Sequence, residues 1–410
     1  MENSKHLCQL LEISIRNYRS FYDKQTISLS SNGMNANPIT ILLGANASGK
    51  SNSAKALVSM FSYITTSLRP DFIPPYNPFA FYKKALTEPT TFEIIFRHDK
   101  NYYIYGFSYD ATQIVEEYLR EKSDSSKYHV IFHRGQKSEL NSRAINYGFG
   151  KKLLSETRKE TLLITKAREE NNKYSNIVFD LVRSVAVLRG MPQDLKSIAI
   201  GIIQNNPTIK ESIKTYLKKA DFSVTNFFIH HAIIPEEAIK QMPLSEELRD
   251  GFRKNGIWSI GTSHYVRNDE KSVIDQTVLD IDDESTGTQE FFYVMTLIID
   301  TIQKGNTLFI DEFASSLHPD LAMAILGIFK DDKHGKLVIN THVQQLLSAS
   351  VAANYPERVI LVEKDHILGN TKIVSLKSRI KRTDEVIEKR YRNKLYGGVP
   401  DLQDFLREVE

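Results

Sequence analysis

The stretch ITILLGANASGKS, at residues 39–51, decides the fold. Its first five residues are apolar or β-branched, which predicts a strand that is buried on both faces and ends at Gly44. After four further residues come Gly49, Lys50 and Ser51, so the segment has the spacing G-x-x-x-x-G-K-S of a phosphate-binding loop. The residues from 49 to about 68 predict a helix with one apolar side. Strand, glycine-rich loop and helix in this order predict a nucleotide site.

Each residue type in this loop has a physical task. Glycines let the backbone turn and aim its N–H groups inward, and the helix that starts near Gly49 adds the positive end of its dipole. Lys50 is expected to reach the β- and γ-phosphates, and Ser51 is expected to ligate Mg²⁺. We therefore predict a nucleoside triphosphate with Mg²⁺. The residues expected around the phosphates are Gly44, Asn46, Ser48, Gly49, Lys50, Ser51 and Asn52.

Composition limits the class of protein. The chain has 410 residues, enough for two or three domains or for one large domain with an insertion. A formal net charge of +3 does not by itself argue for nucleic acid. The single cysteine, Cys8, excludes an internal disulfide framework and fits a reducing cytosol. We find no N-terminal signal, and the apolar run at 291–302 is too short to span a bilayer. We expect a soluble cytoplasmic protein with no membrane partner.

The N-terminal third is rich in strand patterns. Residues 10–15 and 26–29 predict a hairpin, and residues 91–96, 103–109 and 130–133 predict three further strands. Aromatic residues recur with period two in these strands, which favours a sheet core over a ligand cage. We assign residues 1–150 to the N-terminal half of a nucleotide-binding head, with the phosphate-binding loop and an antiparallel β lobe.

In the rest of the chain, a segment with helical periodicity is followed by one in which predicted strands and helices alternate. Residues 151–256 predict a compact helical insertion, with helices at 177–188 and 208–219. Residues 257–410 predict the other half of the head. They contain strands at 260–266, 273–281, 307–310, 337–339 and 359–362, and helices at 289–302 and 320–329. We therefore predict an α/β fold with a mixed, largely parallel central sheet, an antiparallel β lobe and a helical insertion.

Two further strands end in residues that carry chemistry. The segment TLFIDE at 307–312 is an apolar strand that delivers Asp311 and Glu312 at its carboxyl end, where sites form in open α/β sheets. Asp311 suits Mg²⁺, and Glu312 suits the polarisation of an attacking water. The segment LVINTH at 337–342 ends in His342, which is either a ligand of the γ-phosphate or of that water, or a surface histidine.

A turn of small residues, DESTGTQ at 283–289, opens the next predicted helix. Such a turn either caps that helix and does nothing more, or presents Ser285 and Gly287 to a phosphate, including one bound by another subunit. The basic run at 377–394 also has two interpretations. It is either a solvated helix face or an edge that binds nucleic acid or a partner.

In this order, the motifs resemble the ABC-type ATPase heads of the SMC, RecF and OLD group. The resemblance is greatest to the compact AAA ATPases of bacterial abortive-infection systems, of the AbiL/RloA kind. It rests on IRNYRSF at 15–21, GANASGKSN at 44–52, ESTGTQ at 284–289, DEFASSLHP at 311–319, NTH at 340–342 and YRNKLYGGVP at 391–400. It covers roughly residues 9–120 and 255–402 and leaves the helical middle aside.

The resemblance implies a role for each motif. It makes Glu312 the catalytic base and His342 the switch histidine of an ATP hydrolase, with ATP and Mg²⁺ as cofactors. Heads of this kind form a homodimer or higher homo-oligomer in which Ser285 and Gly287 reach the γ-phosphate of the opposite subunit. The residues of the D-loop at that interface would be Ser316, Leu317 and His318.

The same resemblance implies a biological role in phage defence. The chain would be the sensor or regulatory ATPase that controls a separate effector, a nuclease or a toxin, because we find no room for the nuclease domain of full OLD proteins. The alternatives are a RecF-like DNA-binding repair ATPase and a scaffold that binds ATP without turnover. The sequence departs from the pattern of ABC transporters in two places. The turn that corresponds to their signature motif reads STGT in place of LSGGQ, and the glutamine loop has two weak candidates, Gln113 and Gln193.

Overall fold

The computed structural model describes residues 8–124, 127–135, 140–190, 195–220, 222–329, 335–348, 353–365, 367–381 and 386–397. The chain divides into two compact units. The first consists of Met1–Gly190, Lys304–Ser315 and Ala322–Glu410, and the second of Met191–Gln303 and Ser316–Leu321. The three-part division predicted at 1–150, 151–256 and 257–410 stays a prediction.

The strands, in chain order, are β1 (Cys8–Arg16), β2 (Gln25–Ser28), β3 (Ile39–Leu43), β4 (Thr90–His98), β5 (Asn101–Tyr109), β6 (Ile114–Ser123), β7 (His129–Arg134), β8 (Val185–Arg189), β9 (Asn226–Ala232), β10 (Ile257–Arg267), β11 (Val273–Asp280), β12 (Thr307–Asp311), β13 (Lys336–Thr341), β14 (Val359–Lys364) and β15 (Thr371–Ser375).

The helices are α1 (Lys50–Thr66), α2 (Lys151–Ser155), α3 (Leu163–Glu169), α4 (Lys173–Ser184), α5 (Leu195–Asn205), α6 (Pro207–Lys219), α7 (Glu236–Gln241), α8 (Glu246–Asn255), α9 (Thr286–Lys304), α10 (Pro319–Leu326) and α11 (Ile387–Arg392). Short side chains start two of them. The Asn172 side chain accepts hydrogen bonds from backbone N–H groups in the first turn of α4. The Asn206 side chain caps α6 in the same way, and Pro207 is the first residue of that helix. Within the described ranges, no helix is long and apolar enough to cross a membrane.

A six-stranded, largely parallel sheet forms the centre of the first unit. Its order is β15-β14-β3-β13-β12-β8, and only the edge strand β15 runs antiparallel to its neighbour. Every residue of β3, β12 and β13 is buried, as expected for parallel strands covered on both faces. The predicted fold class, α/β with a largely parallel sheet, is confirmed.

The helix predicted at 177–188 is wrong at its end. Helix α4 stops at Ser184, and the chain continues directly into β8, which pairs in parallel with β12. The segment Val185–Arg189 is a short apolar run, and periodicity cannot separate a buried strand from a buried helix over so few residues. The partner that decides between them, β12, is far away in sequence.

The antiparallel β lobe is also present in the first unit, with the order β2-β1-β4-β5-β6-β7. The alternating aromatic residues lie in its core, as predicted: Phe92, Phe96, Tyr103, Tyr105, Phe107 and Tyr109 are buried. They pack with α1, since Tyr63 lies 4.8 Å from Tyr109 and 5.2 Å from Phe107, measured between ring centroids. The second unit has its own antiparallel sheet, β11-β10-β9.

One buried carboxylate joins this lobe to the helices behind it. Glu117, on β6, accepts hydrogen bonds from the backbone N–H groups of Leu163 (2.7 Å) and Ile164 (3.0 Å) at the start of α3, and from the Tyr105 hydroxyl (3.1 Å). The Arg134 guanidinium lies 4.0 Å away and is also buried. Burial raises the pKa of Glu117, and the nearby Arg134 opposes that shift.

Replacing this carboxylate should destabilise the chain. We expect Glu117→Ala to lower the free energy of unfolding by about 3–5 kcal/mol, because it leaves a buried guanidinium without its counter-charge and two helix N–H groups without their acceptor. Equilibrium urea unfolding followed by circular dichroism measures the loss. The matched control is Glu116→Ala on the same strand, whose exposed pair with His133 should contribute about 1 kcal/mol or less. Equal losses in the two variants would contradict the role of Glu117.

Candidate functional site

Three neighbouring strands of the central sheet end at one edge. Strand β13 lies between β3 and β12, and the three run in parallel. The register pairs Thr341 with Leu43 and Ile339 with Ile310. The phosphate-binding loop follows β3. Asp311 is the last residue of β12 and Glu312 the next residue, and His342 follows β13. The structure therefore brings these sequence-predicted residues to the same carboxyl edge, where α/β sheets build their sites.

Two glycines of the loop cannot be replaced without a clash. Gly49 has a φ of 110°, and a Cβ atom there would lie 2.1 Å from the Thr371 hydroxyl oxygen. A Cβ atom on Gly44 would lie 2.2 Å from the carbonyl oxygen of Val362 on β14. Real Cβ atoms do not approach other atoms so closely. The loop therefore needs glycine at both positions because of backbone conformation and of close neighbours.

Residues far away in sequence hold the loop, and sequence reasoning missed them. The Thr371 hydroxyl, at the start of β15, bonds to the carbonyl oxygen of Ser48 and to the Ser20 hydroxyl, both at 2.8 Å. The Asn52 amide donates to the same Ser20 hydroxyl at 2.8 Å. The only signal for Ser20 was its position inside the segment IRNYRSF, and Thr371 carried none.

Lys50 lies over the loop that precedes it. Its ammonium donates to the carbonyl oxygens of Gly44 and Ala45, both at 2.8 Å. Burial lowers the pKa of Lys50, while the carboxylates of Asp311 and Glu312 oppose that shift. Those two carboxylates at the end of β12 therefore stabilise the charged form of Lys50 in the loop.

The two carboxylates of β12 differ in their surroundings. Asp311 is buried, with 7% of its surface exposed, and its Oδ1 accepts from the Asn340 amide at 3.0 Å. Glu312 is exposed and has a φ of 64°. A non-glycine residue in the left-handed region is strained, and such strain collects at functional sites. A buried carboxylate suits a fixed cation, and an exposed one suits contact with substrate.

A cavity of about 730 Å³ lies beside the loop, a typical size for a small-molecule site. Cations from separate parts of the chain line it: Arg19, Lys50, Lys55 and Lys364. The rings of Tyr76 and Phe81 line it as well, and its lining within the described ranges includes no carboxylate. This combination suits a ligand that has several negative charges and an aromatic group, as a nucleoside triphosphate does.

The residues present also fit a magnesium ion. Among the residues that the structure describes, no group of three or more His, Cys, Asp or Glu side chains is arranged to hold a metal. A magnesium ion would therefore take oxygen from phosphates and water, with Ser51 and Asp311 as the protein's contribution, which is usual for this ion. The Asn340 amide joins Asp311 to the carbonyl oxygen of Lys50, the residue that precedes Ser51.

Ser285 and Gly287 belong to the second unit. The Ser285 hydroxyl accepts from the N–H group of Thr288 at 3.2 Å, so it caps α9, as one of the two interpretations predicts. Ser316, the first residue of the candidate D-loop, contacts the same helix, because its N–H group donates to the Glu290 carboxylate at 2.8 Å. A Cβ atom on Gly287 would lie 3.1 Å from the Ser316 carbonyl oxygen, which keeps this position small.

Two other candidates have plain structural settings. Gln113 is exposed in a turn, where its N–H group bonds to Asp110, and Gln193 lies outside the described residues. Part of the basic run is engaged in ion pairs: Lys377 with Glu357 (3.8 Å), Arg379 with Glu363 (3.1 Å) and Arg392 with Glu388.

Solved structures of SMC heads are similar to the chain. An SMC head bound to the C-winged helix domain of ScpA is 12% identical, with 91% of this chain and 100% of that chain covered, at a TM-score of 0.47. The SMC head domain from Thermotoga maritima is 13% identical, with 90% of this chain and 98% of that chain covered, at a TM-score of 0.39. An SMC head domain with an extended coiled coil, bound to the C-terminal domain of ScpA derived from Pyrococcus furiosus, is 12% identical, with 90% and 97% covered, at a TM-score of 0.42.

Two family models match the chain, and no curated protein matches it significantly. One model, described as "AAA domain, putative AbiEii toxin, Type IV TA system", matches residues 218–348. The other, described as "AAA domain", matches residues 12–254, which is more than half of the chain and includes the phosphate-binding loop. The predicted enzyme class is thereby confirmed: the chain belongs to the AAA domain family and is a P-loop ATPase.

Proposed function

We propose that this ATPase hydrolyses ATP at a site shared by two copies of the chain and controls a separate effector in an anti-phage defence system. The observation that carries the ATPase part is the common edge of β3, β12 and β13, which brings Asp311 and Glu312 to the phosphate-binding loop, whose Lys50 lines a basic cavity. Support for the defence part comes from the match of residues 218–348 to a model named for a putative toxin of a type IV toxin–antitoxin system.

In the proposed mechanism the chain's own residues bind, orient and remove a proton. Lys50 exchanges the carbonyl oxygens of Gly44 and Ala45 for phosphate oxygens, a stronger pairing because both partners are charged. The loop's N–H groups and the start of α1 hold the remaining phosphate charge. Ser51 and Asp311 would hold Mg²⁺, which would supply neutralisation of phosphate charge. Glu312 accepts the proton of the attacking water, and His342 contacts the γ-phosphate.

If Glu312 is the general base, its replacement should reduce ATP hydrolysis without preventing ATP binding. We expect Glu312→Gln to reduce ATP turnover by about 10²–10⁴-fold, since the amide cannot accept the proton, while ATP still binds. Steady-state phosphate release and calorimetric titration with ATP measure the two quantities. The control is Glu211→Gln, the same replacement at an exposed residue of α6, which should keep its turnover. Wild-type turnover in Glu312→Gln would contradict this assignment.

A site shared by two chains predicts complementation between two inactive variants. Lys50→Ala removes the phosphate-binding cation, and Ser285→Arg places a bulky cation on the turn that faces the opposite nucleotide. In a mixed dimer both defects fall in one site and the other site is intact. We therefore expect an equimolar mixture to recover about a quarter of wild-type turnover, since half of the dimers are mixed and each has one intact site of two. A mixture no more active than its components would contradict the shared site.

The effector and the alternative of a DNA-repair ATPase predict different partners. We expect the Glu312→Gln chain, purified with ATP from its native host, to retain a nuclease or toxin and to bind DNA only weakly. A RecF-like ATPase would instead bind DNA in an ATP-strengthened, salt-dependent manner that Lys381→Ala and Lys389→Ala weaken. Mass spectrometry of the purified complex and DNA binding at two salt concentrations distinguish the two. DNA retention without a protein partner would favour the repair alternative.

A further inference from the structure

Asn340 is a buried polar residue in an otherwise apolar strand. It follows Leu337, Val338 and Ile339 on β13, and none of its surface is exposed. An apolar residue would satisfy this position of a strand covered on both faces. Burying an amide whose hydrogen bonds are incomplete destabilises the fold relative to an apolar residue. A residue that is costly to the fold at this position calls for a specific task.

The amide of Asn340 connects two motifs of the site. Its Nδ2 donates to the carbonyl oxygen of Lys50, the first residue of α1, at 2.8 Å, and to Oδ1 of Asp311 at 3.0 Å. Because a primary amide has two hydrogens, both donors are used. The β13 register, with Asn340 opposite Leu42, brings this side chain to the level at which β3 ends. One side chain thus fixes the start of α1 relative to the buried carboxylate.

The other end of the same amide is unsatisfied. The Asn340 Oδ1 is buried and accepts no hydrogen bond from any residue that the structure describes. Its two nearest motifs are those that would hold Mg²⁺, through Ser51 and Asp311. An acceptor without a partner at this place is suited to a hydroxyl or to a water that arrives with a magnesium–nucleotide complex.

We propose that Asn340 is a positioning residue for magnesium, which orients Asp311 through Nδ2 and accepts a hydrogen bond from a water or hydroxyl of the magnesium–nucleotide complex through Oδ1. The inference rests on the proposed function and deepens it. It assigns Asn340 to the metal rather than to the fold alone, and it predicts that the loss of Asn340 changes the dependence of nucleotide binding on Mg²⁺ more than nucleotide binding itself.

The experiment compares two Asn340 variants with a matched control on the same strand. Asn340→Ala removes both ends of the amide, and Asn340→Ser keeps a small polar group in case the alanine variant does not fold. The control is Thr341→Val, whose hydroxyl donates to the carbonyl oxygen of Phe313 (3.2 Å) and accepts from the N–H group of Val343 (3.1 Å). Neither of these bonds involves Lys50 or Asp311. Fluorescent ATP titrations in EDTA and at increasing Mg²⁺, with thermal unfolding, supply readouts besides turnover.

We expect the half-saturating Mg²⁺ concentration to rise about 10- to 100-fold in the Asn340 variants, the usual effect of losing a residue that orients a metal ligand. Affinity for the nucleotide in EDTA should stay within about threefold, and Thr341→Val should lower thermal stability without changing the Mg²⁺ dependence. Lower stability with unchanged Mg²⁺ dependence in both Asn340 variants would overturn this inference and leave the proposed function intact. A wild-type chain that binds no nucleotide would overturn the proposed function instead.

Discussion

The site depends on the parallel pairing of β13 with both β3 and β12. Parallel strands present their carboxyl ends at one edge, so three segments that are far apart in sequence deliver their next residues to the same place. A slip of one residue in β13 would turn Asn340 to the other face of the sheet and separate it from Lys50 and Asp311. The register of β13 therefore also fixes the chemistry of the site.

Several local features at this edge oppose folding. Glu312 adopts a left-handed conformation, Asn340 carries an unsatisfied buried oxygen, and the Ser48 hydroxyl also lacks a partner among the described residues. Each such feature costs about 1–3 kcal/mol. The fully buried strands and the aromatic core of the β lobe, where Tyr63 of α1 packs on Tyr109, offset them. The β lobe thus stabilises the helix that starts at the phosphate-binding loop.

Local patterns predicted much of this arrangement. The strand, loop and helix at 39–68 are adjacent in sequence, so periodicity and glycine spacing were sufficient to find β3 and α1. Strand β6 was missed because Glu116, Glu117 and Arg120 interrupt its alternation, and Glu117 is buried only because α3 supplies N–H donors. The hydrogen bond from Thr371 to Ser48 could not be predicted either, since nothing local to β15 indicates a contact so distant in sequence.

The chain connection after Glu312 adds a constraint that the sheet alone does not supply. Phe313, Ala314 and Ser315 lead from Glu312 to Ser316, whose N–H group is bound by Glu290 on α9. That helix begins at the turn of Ser285, and its Glu290 carboxylate is buried. Ala314 shares the left-handed conformation of Glu312. Two non-glycine residues within three positions therefore carry backbone strain directly after β12, and the pairing of the sheet does not require that strain.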